Sequence, residues 1–176
     1  MPNQQMMDAA RELAFELSAL LREQRVRIVF AESCTAGLAS ALLAQVPGIS
    51  EWMCGSAVTY RESAKQAWLG IDAGLIAEDS AVSAAVTQKM SEQVLHLTPE
   101  ADLSLAVTGH LEETATDEPC HAWICTCSRE GDELQARDPE MFSLTEPNRR
   151  RRQWQAACLV LETAVRSLKV ASAEQK

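Results

Sequence analysis

The sequence predicts an α/β fold: a three-layer α/β/α sandwich around a mixed, roughly five-stranded sheet. Three observations carry that expectation. Segments with helical apolar spacing alternate with short β-branched or aromatic runs, the pattern of layered α/β domains. A hairpin signal late in the chain makes the sheet mixed instead of wholly parallel. Finally, the 176 residues, 47% of them apolar, suffice for one domain with a real core and no disulfide or metal staples. Residues 1–176 are therefore read as one domain.

Residues 6–23 have Ala10, Leu13, Ala14, Leu17, Leu20 and Leu21 on one helical face. Val26 to Phe30 is a short apolar run suited to a buried strand. A small-residue helix is expected over Thr35–Gln45, ended by Pro47-Gly48. Gly55–Tyr60 reads as the next strand, and Glu62–Leu69 as a short helix closed by Gly70. Ser83 is placed to cap a helix that runs to about Leu97. Leu103–Thr108 is a strand that stops at Gly109, followed by a polar, acidic loop over 110–119. His121–Cys127 and Glu133–Leu144 form the hairpin, turning near Gly131-Asp132. Pro139 interrupts the second arm, which suits an edge or bulged strand. A last helix starts near Pro147 and reaches about Val170, with Trp154, Ala157, Cys158, Leu161, Val165 and Leu168 as its apolar stripe.

Charge and composition narrow the function. Sixteen basic residues against 25 acidic ones give a net charge of -9, which disfavours general nucleic-acid binding but leaves room for a small anionic ligand in a local cationic pocket. There is no signal-peptide pattern and no apolar run approaching the ~18 residues of a membrane span. A cytoplasmic protein with six reduced cysteines, and no membrane partner, is expected. Cys125-Thr126-Cys127 puts two thiols on one strand face, a spacing that fits core packing better than the Cys-x₂₋₄-Cys of structural zinc; no metal and no cofactor is expected.

The most informative segment is Ala31-Glu32-Ser33-Cys34-Thr35-Ala36-Gly37, where a strand gives way to a helix. Ligands of α/β sheets sit beyond the carboxyl ends of strands, and a helix start offers unpaired N–H groups there. Ser33 or Thr35 is either a helix cap or a hydroxyl placed for nucleophilic attack. The small Ala36 and Gly37 would let a ligand approach the backbone. A serine nucleophile needs a base. The histidines His96, His110 and His121 fall in no triad pattern, whereas Lys65 sits just after a strand whose end can lie beside Ser33. Taken alone, Lys65 fits an ordinary solvated lysine better than a base.

Several segments together resemble the C-terminal domain family of the CinA competence/damage-inducible proteins. They are Ala31–Gly37, Val46-Pro47-Gly48-Ile49-Ser50, Val58-Thr59-Tyr60-Arg61-Glu62-Ser63-Ala64-Lys65 with Leu69-Gly70-Ile71, Ala81-Val82-Ser83, and Ala106-Val107-Thr108-Gly109. The likeness covers roughly residues 5–109, with weaker agreement in the final helix. It implies a metal-free serine amidase that converts nicotinamide mononucleotide to nicotinic acid mononucleotide and ammonia. On matching positions Ser33 would be the nucleophile and Lys65 the base, with Cys34 a less favoured nucleophile. Backbone N–H groups from Cys34 to Ala36 would hold the oxyanion. Thr35, Ala36, Gly37, Tyr60, Thr108, Gly109 and Arg149 would contact the substrate. Dimerisation is implied by the resemblance alone.

The chain departs from the family where it follows Thr-Gly with Ile-Ala-Gly-Pro-x-Gly-Gly. Here the stretch is His110-Leu111-Glu112-Glu113-Thr114-Ala115-Thr116-Asp117-Glu118-Pro119, with four carboxylates and no glycine. A phosphate ~4 Å from one such carboxylate would lose up to about 4 kcal/mol at an effective dielectric of ~20. The family's glycine in Pro-Val-Gly-Thr is absent from Pro119-Cys120-His121-Ala122, and its Gly-Asp-Arg becomes Glu146-Pro147-Asn148-Arg149. Arg149 to Arg152 at a helix start oppose the helix dipole, so they either meet an anion or neutralise the acidic loop, or form a solvated, partly paired face. Two further functions stay open: a binding domain without turnover, and an amidase for a less anionic carboxamide.

Overall fold

The computed structural model describes residues 2–113 and 119–174. The elements run α1 (Gln4–Gln24), β1 (Ile28–Glu32), α2 (Leu38–Leu43), a 3₁₀ turn (Ile49–Glu51), β2 (Met53–Val58), α3 (Glu62–Leu69), α4 (Ala73–Asp79), α5 (Ala84–His96), β3 (Leu103–His110), β4 (His121–Glu130), β5 (Glu133–Ala136), β6 (Glu140–Ser143) and α6 (Arg149–Glu174). The strands form one mixed sheet in the order β2-β1-β3-β4-β5, with β6 also paired to β4. β1 is parallel to both β2 and β3, and β4 is antiparallel to its neighbours.

Strand β1 explains the layering. All five of its residues are buried. Ile28 and Phe30 join the core beneath α1, α2 and α6, while Val29 and Ala31 join the core beneath α5. A strand covered on both faces has no polar side to alternate with, hence its unbroken apolar start. Cys127 packs in the α5 layer and Cys125 is buried nearby, its thiol 3.2 Å from the Arg137 carbonyl. All six cysteines are free thiols. Among the described residues, no helix is long and apolar enough to cross a membrane.

The sheet has six strands instead of about five. Proline has no N–H to give a ladder, so Pro139 divides the second hairpin arm. β5 pairs with Cys127–Glu130 and β6 with His121–Ile124, on the same edge of β4. β1 begins at Ile28 and not Val26, because Arg25 takes a left-handed φ of 57° and the N–H groups of Arg25 and Val26 both cap the Leu21 carbonyl. α2 begins at Leu38 and not Thr35, since Ala36 and Gly37 have φ of 53° and 90°. α4, capped by the Asp72 side chain, has no counterpart in the sequence expectation. β3 continues to His110, which pairs with His121, so the acidic loop starts one residue later; its residues 114–118, including Asp117 and Glu118, lie outside the described residues.

Candidate active site

At the carboxyl end of β1 the chain makes a tight turn. The Ser33 N–H bonds to the Val107 carbonyl at 3.0 Å, extending the β1–β3 ladder by one residue. The Ala36 N–H returns to the Ser33 carbonyl at 3.0 Å. Ala36 holds a left-handed conformation that costs an alanine about 1–2 kcal/mol, so the surroundings must fix it. Gly37 is needed next: a Cβ there would meet Val58 Cγ2 at 3.3 Å in a conformation that side chains resist.

Glu32 supplies the fixing. Its wholly buried carboxylate accepts four hydrogen bonds: from Thr35 Oγ1 (2.7 Å), Ala39 N–H (3.0 Å), Ser40 N–H (3.0 Å) and Ser56 Oγ (3.0 Å). Two are the orphan donors at the start of α2. The cap of that helix is therefore Glu32, reached from the strand, and neither Ser33 nor Thr35. Sequence reasoning missed this role; the signal was a carboxylate at the end of an otherwise apolar strand.

With the turn fixed, Ser33 faces Lys65 of α3. Lys65 Nζ lies 2.8 Å from Ser33 Oγ and 2.9 Å from the Thr59 carbonyl. The lysine is 1% exposed and the serine 7%, so Lys65 is not a solvated surface residue. Burial pushes its pKa below the usual lysine value; Cys34 and Glu62 pull weakly the other way. Both acceptors of Nζ are uncharged. In the amine form Nζ can take the Ser33 proton while an N–H stays on Thr59, a contact that aims the lone pair. The Thr59 carbonyl is thus a second positioning group that sequence reasoning overlooked.

Cys34 is a poor rival nucleophile. Burial drives its thiol up to about 12, although the backbone N–H groups of Cys34 and Thr35 lie close to it. Those N–H groups are the candidates for an oxyanion, whereas the Ala36 N–H is already bonded to Ser33.

Ser33 and Lys65 open into a cavity of about 360 Å³ that is also lined by Cys34, Tyr60, Gly109 and Arg149. Gly109 fits there for want of a side chain: a Cβ would sit 2.6 Å from the His121 carbonyl oxygen and 3.1 Å from Cys34 Sγ. Tyr60 is half-exposed, and its hydroxyl accepts from Arg149 Nη2 at 2.6 Å. Arg149 Nη1 pairs with Glu112 at 3.2 Å, and Arg152 with Glu113 at 3.1 Å. At least two of the four arginines therefore neutralise the acidic loop.

Four expected contacts lie elsewhere. Thr35, Ala36 and Gly37 line a separate hollow with Met7 and Trp154, because the turn directs them toward α1 and α6. Thr35 is held there by Glu32 through its hydroxyl and by Gln153 through its carbonyl. Thr108 is fully buried, with Oγ1 2.6 Å from Thr87 Oγ1, so it ties β3 to α5 and does not line the cavity. Another hollow, of about 450 Å³ beside Arg27 and Glu100, is also lined by Ser50, Glu51 and Cys54.

An α/β domain with a buried serine–lysine pair beyond the carboxyl end of β1, the middle of its three parallel strands, is thereby defined. The chain belongs to the CinA C-terminal domain family, whose model matches residues 10–167. A CinA-like protein of Geobacter metallireducens is 43% identical over 93 residues, which are 53% of this chain and 22% of that protein. The chain thus spans about a fifth of the length of the curated relatives it matches. The crystal structure of competence damage-inducible protein A from Klebsiella pneumoniae superposes with a TM-score of 0.81 at 26% identity, covering 91% of this chain and 97% of that one. The competence/damage inducible protein of Agrobacterium tumefaciens, 22% identical with a TM-score of 0.75 over 96% of this chain and 98% of that one, shares the fold.

Proposed function

We propose that this chain is a metal-independent amide hydrolase in which Ser33 attacks a primary carboxamide and Lys65 carries the proton. The observation that supports it most directly is the 2.8 Å approach of Lys65 Nζ to Ser33 Oγ at the wall of an open cavity. In the first step Ser33 Oγ bonds to the carbonyl carbon and its proton passes to Nζ. The oxyanion is met by the N–H groups of Cys34 and Thr35. Collapse breaks the C–N bond, and Nζ returns the proton to the departing nitrogen, which leaves as ammonia. Water then gives a proton to Nζ, attacks the Ser33 ester and releases a carboxylic acid, and Ser33 recovers its proton. The sum is one carboxamide and one water converted to one acid and one ammonia.

The family resemblance makes nicotinamide nucleotides the reference substrates. The test is ammonia release from nicotinamide mononucleotide and nicotinamide riboside, with Ser33→Ala as control. Turnover above that control supports the reading; wild-type rates equal to the control for both compounds would sink it.

A further inference from the structure

We infer that Glu112 is a built-in counter-ion of this cavity and selects carboxamides that carry no phosphate, an inference that rests on the amidase reading of the same site. Glu112 and Glu113 both line the cavity with Ser33 and Lys65. Its lining has three basic side chains among the described residues: Lys65, His110 and Arg149. Lys65 must be an uncharged amine to act as a base. Among the described residues Arg149 is the one guanidinium in the lining, and it already holds Glu112 through Nη1 (3.2 Å) and Tyr60 through Nη2 (2.6 Å). Arg152 stands behind Glu113 and is held by the Glu146 carbonyl (2.7 Å) and the Leu111 carbonyl (3.2 Å). In the reactive state the one permanent positive charge of the lining among the described residues, that of Arg149, is therefore already paired.

A phosphate entering such a site has to displace Glu112 from Arg149 and then remain beside the displaced carboxylate and Glu113. The pair is not locked, because the Glu112 and Arg149 side chains are 68% and 48% exposed. The discrimination is accordingly a matter of about one decade in affinity and not many. A cationic pyridinium ring has the opposite preference and is drawn to the two carboxylates. Nicotinamide riboside fits both demands; its 5′-phosphate ester fits one.

Calorimetric binding to the Ser33→Ala protein tests this without depending on turnover. Nicotinamide riboside is expected to bind about tenfold more tightly than nicotinamide mononucleotide. Adding Glu112→Gln should reduce that ratio about fivefold or more. Adding Glu140→Gln should leave it alone, since that carboxylate pairs with Arg166 away from the cavity and matches the change in net charge. Tighter binding of the mononucleotide, a ratio unmoved by Glu112→Gln, or no binding of either compound would overturn the inference. The expected ratio without ammonia release by the wild-type protein would uphold the selection by Glu112 and reject the amidase chemistry alone.

Discussion

Replacing Glu32 by glutamine tests how the turn that carries Ser33 is held. The carboxylate uses Oε2 for Thr35 Oγ1 and the Ala39 N–H, and Oε1 for Ser56 Oγ and the Ser40 N–H. Glutamine keeps the shape and one oxygen. Whichever way its amide is turned, the NH₂ group meets one hydroxyl and one backbone N–H. The hydroxyl can rotate and accept; the N–H cannot. One buried donor is then left facing another donor, at about 1–3 kcal/mol. Weaker acceptance by a neutral oxygen adds about 1 kcal/mol, for a total of about 2–4 kcal/mol. In a domain of this size that is a fall in melting temperature of roughly 5–15 °C. Urea unfolding followed by far-ultraviolet circular dichroism reads the change directly. A loss below about 1 kcal/mol would refute the account, because it would mean that the four donors find other partners without difficulty.

Lys65→Met should lower turnover by about 10²–10⁴-fold while leaving the melting temperature at pH 7 unchanged or higher, because burial disfavours the ammonium it removes. The same depressed pKa means that the unfolded chain binds more protons than the folded one between the folded pKa of Lys65 and its ordinary value of 10.5. Lys65 then adds stability as pH rises through that window, and kcat/KM rises with pH as the amine forms; a flat profile in which only Lys65→Met differs would contradict its role as base. Gly109→Ala should destabilise by about 1–3 kcal/mol in urea titrations, since the new Cβ would meet the backbone of His121 and Ala122, which cannot swing aside. Cys34 should react with iodoacetamide far more slowly at pH 8 than free cysteine, and Cys34→Ala should retain most activity, as expected of a thiol pushed up to about 12; loss of all turnover with intact folding would transfer the nucleophile to Cys34.

Much of the scaffold was legible because it rests on local physics. Helical periodicity gave α1 and α6, and α5 was placed by its Ser83 cap, which accepts from the Val86 N–H as the sequence suggests. The conjunction of Ser33 and Lys65 was legible as well, although 32 residues separate them, because one follows β1 and the other follows the strand beside it. What stayed hidden was direction. Both Thr35 and Thr108 are hydroxyls at strand ends, and nothing local says that one turns to Glu32 and the other to Thr87. Likewise, a run of arginines in one segment and a run of glutamates in another do not announce that Arg149 meets Glu112 in the cavity lining and Arg152 meets Glu113 from behind it. Such pairings depend on how α6 lies over the loop, a tertiary matter.

The break at Pro139 bears on how this sheet meets other chains. An unbroken outer strand would offer a long row of free N–H and carbonyl groups, a template on which a foreign strand can zip. Here that border is divided into β5 and β6, each four residues long, so an incoming strand finds no continuous run to lock onto. A single imino acid thus discourages sheet-to-sheet polymerisation along that border, and β2 is left as the border where the ladder can continue.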